Sequence, residues 1–389
     1  MKDQSAPSSK LYTPQFVLIC FVVFLFFMSF NMIIPELPDF LSSFGGEEYK
    51  GYIISVSALV AGFARPFSGK IADSVGRKFV VYFGVVITVI CAASYPFLMY
   101  ILPFFALRFL HGLSVGFAPT GTSALVADLA SEDRRGEAMG IVGLVGNTGT
   151  SIAPVLGSYI TETLGINFMF FTSSLLSVLC IIAFLGVKET LLYPKKFHKE
   201  LLILERREWT EPSVFPAAIV MALTLFTYGA FLTVIPDFSK HLGLANKGIF
   251  FTIYTLSSIL TRVAAGKFSD RYGREIVIKI ALFFSISSLF IFSVTEAEWQ
   301  FYAASIMYGA AVGMYSPAIF AWATDLSHPE HRGRGMSTLY IALEGGIAAG
   351  AFFAGLIYAN VTENLFWVFW LCIVLKSAAL AYLFSLRKS

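Results

Sequence analysis

Four bases and one acid stand where an apolar helix would carry none: Arg65, Arg108, Arg262, Lys376 and Glu344 each interrupt a long hydrophobic run. An ionised group at the centre of a bilayer costs about 2.5–3.5 kcal/mol on insertion scales, so such residues face a partner or an aqueous space. Glu344 is the most informative of them. It lies about nine residues, or about 14 Å, into its run. From that depth a glutamate is too short to reach either interface. Its chemistry is that of a proton carrier or a substrate-binding carboxylate, with a neutral structural glutamate as the alternative. Arg108 sits nearer the end of its run and can snorkel. His111 follows one turn deeper, where an imidazole can exchange a proton. Asn31, Asn147, Tyr228, Tyr254, Tyr315 and Trp322 are candidates for the polar and aromatic walls of the same space.

The elements that hold these residues must cross a membrane. The 389-residue chain is 57% hydrophobic and 14% charged, with 40 Phe, whereas soluble domains carry about 25% charged residues. Lipid is therefore the main solvent. A net charge of +3 is too small to point to a nucleic-acid partner. Cys20, Cys91, Cys180 and Cys372 lie within apolar runs and read as small buried side chains, not disulfides or metal ligands. Runs near 15–36, 51–69, 79–100, 103–127, 137–160, 166–187, 214–236, 247–266, 276–295, 299–323, 335–358 and 364–385 are each long enough to span about 30 Å of hydrocarbon. These runs predict an all-α polytopic membrane protein with six-helix bundles at 1–187 and 214–389. The linker 188–213 is rich in basic residues, and its Leu201–Trp209 stretch is predicted to lie as an amphipathic helix on the membrane surface. No cleavable signal sequence is expected, because the first run has no small-residue cleavage site after it and closes at Pro35 and Pro38. Of 28 Lys and Arg, only Lys50, Lys240 and Lys247 fall on the outer side when the N-terminus is inside. That bias predicts two cytoplasmic termini, and the expected location is a bacterial inner (plasma) membrane.

A duplication runs through the chain. Arg65, Gly69, Lys70, Asp73, Gly76 and Arg77 recur 197 positions later as Arg262, Gly266, Lys267, Asp270, Gly273 and Arg274. The same offset pairs Asp128 with Asp325, and Pro38-Asp39-Phe40 recurs as Pro236-Asp237-Phe238 one residue out of step. Six spans per copy predict parallel repeats about an axis normal to the membrane. Gly69 lets helix ends approach, Asp73 can accept from a helix N-terminus, and Arg77 can pair with Asp128. Asp270, Arg274 and Asp325 are placed to repeat this beside Gly266 and Gly273. Arg65 and Arg262, one turn earlier, are assigned to the same clusters. Together they are expected to latch the cytoplasmic side and to break when it opens. In the fifth span, Gly136, Gly140, Gly143, Gly146, Gly149, Ala153 and Gly157 recur at spacings of three or four. The stripe predicts close packing on the counterpart helix across the interface between halves, with a bend at Pro154.

Gly69-Lys-Ile-Ala-Asp-Ser-Val-Gly-Arg-Lys78 resembles the signature loop of the major facilitator superfamily, and through the repeat the likeness covers the whole chain. Arg108-Phe-Leu-His-Gly112 resembles the Arg-x-x-x-Gly motif of the drug:proton antiporter branch, with His111 where Gln is usual. Gly149-Thr-Ser-Ile-Ala-Pro-Val-Leu-Gly157 is similar to the helix 5 motif of that branch, although Ser158 stands where a second Gly is common. The resemblance implies the twelve-helix major facilitator fold, proton coupling at Arg108 and an exporter's bend at Pro154. Asn31 lies near the level where such antiporters often carry an acid, which takes support away from cationic-drug specificity.

The expected function is proton-coupled efflux of small amphiphilic or drug-like molecules by alternating access. Proton-coupled import of a sugar or organic acid is the alternative, since one fold serves both. A transport-dead receptor or a membrane enzyme is disfavoured: the chain has no metal-ligand spacing, nucleophile elbow or phosphate-binding loop. The expected partners are a small-molecule substrate, protons and the lipid bilayer, with no cofactor and a monomeric chain.

Overall fold

The computed structural model describes residues 12–131, 134–203, 209–327 and 332–386, and leaves the side chains at 136, 263, 264, 266, 267, 270, 332 and 333 undescribed. Twelve long helices carry the chain among the described residues: α1 (Pro14–Met32), α2 (Lys50–Ser74), α3 (Arg77–Ser94), α4 (Ile101–Leu129), α5 (Arg135–Leu164), α6 (Ile166–Leu185), α7 (Phe215–His241), α8 (Ile249–Tyr272), α9 (Arg274–Ser293), α10 (Glu298–Leu326), α11 (Arg332–Tyr358) and α12 (Leu365–Ser385). Among the described residues, eleven of them are long and apolar enough to cross a membrane. The molecule is an integral membrane protein. Pro35 and Pro38 lack the N–H an α-helix needs. After Met32 the chain therefore continues as a tighter turn, Ile34–Glu36, and a short helix, Leu37–Ser42.

Helix packing repeats with a shift of six. α1 packs on α5 and α6, as α7 packs on α11 and α12; α2 and α3 pack on α4, as α8 and α9 pack on α10. Between the first six helices and the last six, the main seams are α2 with α11 and α5 with α8, again related by the same shift. At one seam Gly51 meets Gly355 backbone to backbone, and at the other Gly248 rests on Pro154.

The glycine stripe of α5 does not face its counterpart. A methyl group at Gly149 would lie 2.8 Å from the Phe24 carbonyl oxygen, and one at Gly157 would collide with the Met32 carbonyl. Gly146, Gly149 and Gly157 therefore seat α5 against α1 of its own half, while Gly143 looks across the seam toward Arg262 and Gly140 has open space. Gly346 and Gly350 of α11 do the same against Ala222 and Phe226 of α7. The expectation is overturned because the smallest residues serve the tightest backbone approach, which lies inside each half. The helix predicted over Leu201–Trp209 falls mostly on residues 204–208, outside the described residues. Leu201 and Leu202 belong to one turn, Lys199–Leu202, and the Trp209 ring lies against Phe63 and Phe67.

Candidate functional site

A cavity of about 990 Å³ separates the two sets of six helices, walled by α1, α2, α4, α5, α7, α8, α10 and α11. It reaches the end of the molecule that carries the linker, where Lys70, Asp73, Arg334 and Ser337 line it. At its centre Arg65 Nη2 donates to Glu344 Oε1 at 2.7 Å, joining α2 to α11. The Tyr340 ring covers the guanidinium, with Arg65 Cζ 4.4 Å from its centroid. Gly62 makes room, since a methyl group there would stand 3.0 Å from Glu344 Cβ. The pair is 12% and 7% exposed, so this is a charge-assisted hydrogen bond with little water to screen it.

Arg108 and Arg262 line the same cavity without a carboxylate, and Lys376 lies behind its wall. Arg108 is wholly buried and gives its Nε to Ile53 O at 3.0 Å and its Nη2 to Ser57 Oγ at 2.6 Å, with Tyr95 Oη 3.4 Å from Nη1. Lys376 is also wholly buried; its Nζ donates to Thr224 O at 3.3 Å between the rings of Tyr308 and Tyr315. Arg262 lines the cavity from α8.

At the linker end, Arg77 bonds Asp128 at 3.0 Å and Asp73 at 3.2 Å, and Arg274 bonds Asp325 at 3.2 Å. Each cluster stays within its own half. Both are formed while the cavity is open to this end, so opening does not require these pairs to break, contrary to the expected latch. Gly76 and Gly273 precede α3 and α9 with φ of 146° and 97°, a backbone that favours glycine. The N-terminus of α3 is served by Glu189, a residue the sequence reading missed, and not by Asp73. Glu189 accepts from the backbone N–H of Arg77 at 3.2 Å and of Lys78 at 2.9 Å. Burial alone would push the Glu189 carboxyl up, but backbone N–H donors at Leu191, Lys78, Thr190 and Arg77 outweigh it and hold its pKa below the ordinary value. The side chains at Gly266 and Asp270 lie outside the described residues.

The opposite end is closed by ion pairs between halves. Lys247 Nζ lies 2.6 Å from Asp39 Oδ2 and 3.3 Å from Glu36 Oε2, while Lys50 Nζ lies 2.7 Å from Asp237 Oδ2. These links are reciprocal. Asp39 and Asp237 are repeat mates, and so are Lys50 and Lys247, so each half offers its acid to the other's lysine. Burial would lower the Lys247 ammonium pKa, but Glu36 and Asp39 outweigh it and leave it raised. Glu36 is itself buried and accepts from Ser158 Oγ at 2.8 Å. The aspartate and lysine duplications were the signal in the sequence that could have found this closure.

Of the predicted wall residues, Asn31, Asn147, Tyr228, Tyr254 and Tyr315 line the cavity with Glu344 and Arg108. His111 and Trp322 do not. His111, three residues on and so about 60° around the helix from Arg108, is wholly buried on the side toward Tyr95 and Phe30. There its Nδ1 lies 3.4 Å from Tyr95 Oη and its ring meets Phe30 edge-on. Trp322 joins the apolar core of the last six helices, where an indole fills space as well as any aromatic. Arg65 and Arg262, assigned to the loop clusters, instead turn into the cavity, because one helical turn before the loop they stand deep enough to meet it. Pro154 lies within an unbroken α5.

A sequence profile described as Major Facilitator Superfamily matches residues 19–250 and 217–389. The chain is 26% identical over 307 residues to multidrug resistance protein MdtG of Salmonella paratyphi A, covering 75% of each. It is 25% identical over 342 residues to multidrug resistance protein 2 of Bacillus subtilis, covering 84% of this chain and 85% of that one. Among solved structures it is similar to the human organic anion transporter MFSD10, with a TM-score of 0.73 at 18% identity over 95% of this chain and 98% of the other. At that identity the likeness speaks for the fold alone.

Proposed function

Because the chain belongs to the Major Facilitator Superfamily, and is thus a secondary transporter and not an enzyme, we propose that it is a proton-coupled antiporter exporting small amphiphilic molecules by alternating access. The observation that carries this reading is a carboxylate at mid-cavity held by an arginine of the opposite half. With Glu344 ionised, Arg65 ties α2 to α11. A proton on Glu344 removes the anion, frees Arg65 and unties that seam, so proton binding and the rearrangement of the halves become one event. The bundles at 1–187 and 214–389 rock about the cavity. In this orientation the linker end faces the cytoplasm, following the basic residues, and the duplicated ion pairs close the outer face. Export is preferred to import of a sugar or organic acid because both relatives above are multidrug resistance proteins.

A substrate screen in a pump-deficient host, comparing wild type with Glu344→Gln, finds the cargo. Everted vesicles loaded acid-inside should then accumulate it through wild type, while Glu344→Gln should lose gradient-driven uptake and keep cargo exchange. If the variant accumulated cargo as wild type does, Glu344 would not be the proton carrier.

A further inference from the structure

The duplication gives every cavity residue a mate, and around one pair of mates the copies differ in a way that describes a ligand. Arg65 and Arg262 are equivalent, one on α2 and one on α8. α11 packs across Arg65's helix as α5 packs across Arg262's. On α11 the guanidinium of Arg65 meets two side chains, the carboxylate of Glu344 at 2.7 Å and the ring of Tyr340 at 4.4 Å. Their mates on α5, 197 positions earlier, are Asn147 and Gly143. Where one arginine is paired and covered, the other faces an amide and a bare backbone.

The surroundings of Arg262 fit a vacancy of that shape. A methyl group built on Gly143 would lie 4.0 Å from Arg262 Nη1, so the space a Tyr340-like ring would enter is open. Arg262 Nε is buried without an acceptor, and its guanidinium makes no hydrogen bond among the described residues. Arg65 Nε is likewise without an acceptor, so what sets the two apart is the missing acid and ring. The carboxylates lining the cavity among the described residues are Asp73 and Glu344, which Arg77 and Arg65 hold. Thr255, two turns from Arg262 on the same helix face, offers a buried hydroxyl with no partner. Asn147 lines the cavity with its amide free to donate.

We propose that the space beside Arg262 is a binding subsite for an aromatic carboxylate. Its acid group sits against Arg262 and Asn147 as Glu344 sits against Arg65, and its ring enters the place above Gly143 that Tyr340 occupies in the other copy. This rests on reading the cavity as the transport path and assigns that path an anionic, amphiphilic cargo class. A planar carboxylate meets guanidinium through two parallel hydrogen bonds in a dry site, while an ammonium would face an unpaired arginine and be repelled.

Binding in detergent tests this on the full chain with three probes that share one ring system: 1-naphthoate, the neutral 1-naphthylmethanol and the cationic 1-naphthylmethylammonium. Calorimetry should find naphthoate bound about tenfold or more tightly than either of the others. Arg262→Gln should erase that preference. Arg262→Lys, which keeps the charge, should bind naphthoate more weakly than wild type yet still prefer it. Asn147→Glu should also erase it by giving Arg262 its own carboxylate, with each variant's monodispersity checked first. Equal binding of the three probes to wild type, no measurable naphthoate binding, or an Arg262→Gln variant that keeps the preference overturns the subsite. The measurement needs no gradient, so its failure leaves proton-driven export standing, and loss of gradient-driven transport leaves the binding result standing.

Discussion

Arg65 and Glu344 stabilise each other only as a pair, and removing either one strands a charge at mid-depth. Breaking a buried pair from one side costs about 3–5 kcal/mol in a dry interior, and less where a wet cavity reaches the stranded group. Arg65→Gln and Glu344→Gln should each lower the thermal midpoint in detergent. The charge-swapped Arg65→Glu/Glu344→Arg double variant should recover much of what the two single reversals lose. Additive losses in that double-mutant cycle would mean the two side chains do not act together. The sequence marked both residues, since charge inside an apolar run is costly wherever it falls. Their pairing was not legible, because the partners lie 279 positions apart and only the packing of α2 on α11 brings them together. Aromatic walls were harder still. Tyr315 and Trp322 sit two turns apart on α10 and both pack in the apolar core, yet only Tyr315 reaches the cavity wall, a difference that no side-chain property announces.

At the scale of the helix, glycine decides how near two backbones come. Gly157 stands where any Cβ would meet the Met32 carbonyl, and Gly350 where one would meet Phe226. Overpacking such a contact costs about 1–3 kcal/mol. Gly157→Val should thus lower the thermal midpoint and the yield of monodisperse protein, whereas Gly140→Ala, with open space around it, should leave both unchanged. Equal behaviour of the two variants would remove the α1–α5 seam as the reason for the stripe. Helix positions were legible because a span must be apolar for its full length. The stripe's spacing was legible too, but spacing names a face and not the neighbour it meets, so the partner was assigned to the wrong half.

The whole molecule has two ends, and which one is open lies outside what composition or periodicity records. Two conformers of one sequence differ by a few ion pairs and a rigid rotation, so the open state is a property of the packed halves. The sequence did contain the closing device, as Asp39 with Asp237 and Lys50 with Lys247, but duplicated charges at the ends of spans read as ordinary loop residues until they are seen to cross. Lys247 has a raised pKa, so its contribution to the closed end is fully present below the ordinary lysine value of 10.5 and is lost only as pH rises through the higher folded value. Neutral-range pH changes therefore leave this lysine charged, so the proton of the proposed antiport does not act through it. Each pair contributes on the order of 1 kcal/mol, the partly exposed Lys247–Asp39 less than the more deeply set Lys50–Asp237. Removing both with Asp39→Asn/Asp237→Asn should shift the balance about tenfold toward a molecule open at that end. Ile34 lines the cavity just beneath the closure. In a background with Cys20, Cys91, Cys180 and Cys372 replaced by serine, an Ile34→Cys reporter should react slowly with a membrane-impermeant maleimide added outside intact cells. The double aspartate variant should speed that reaction several-fold. Labelling at an unchanged rate would show that the reciprocal pairs do not hold the outer face shut, and the closure would then have to reside in the backbone seams at Gly51–Gly355 and Pro154–Gly248.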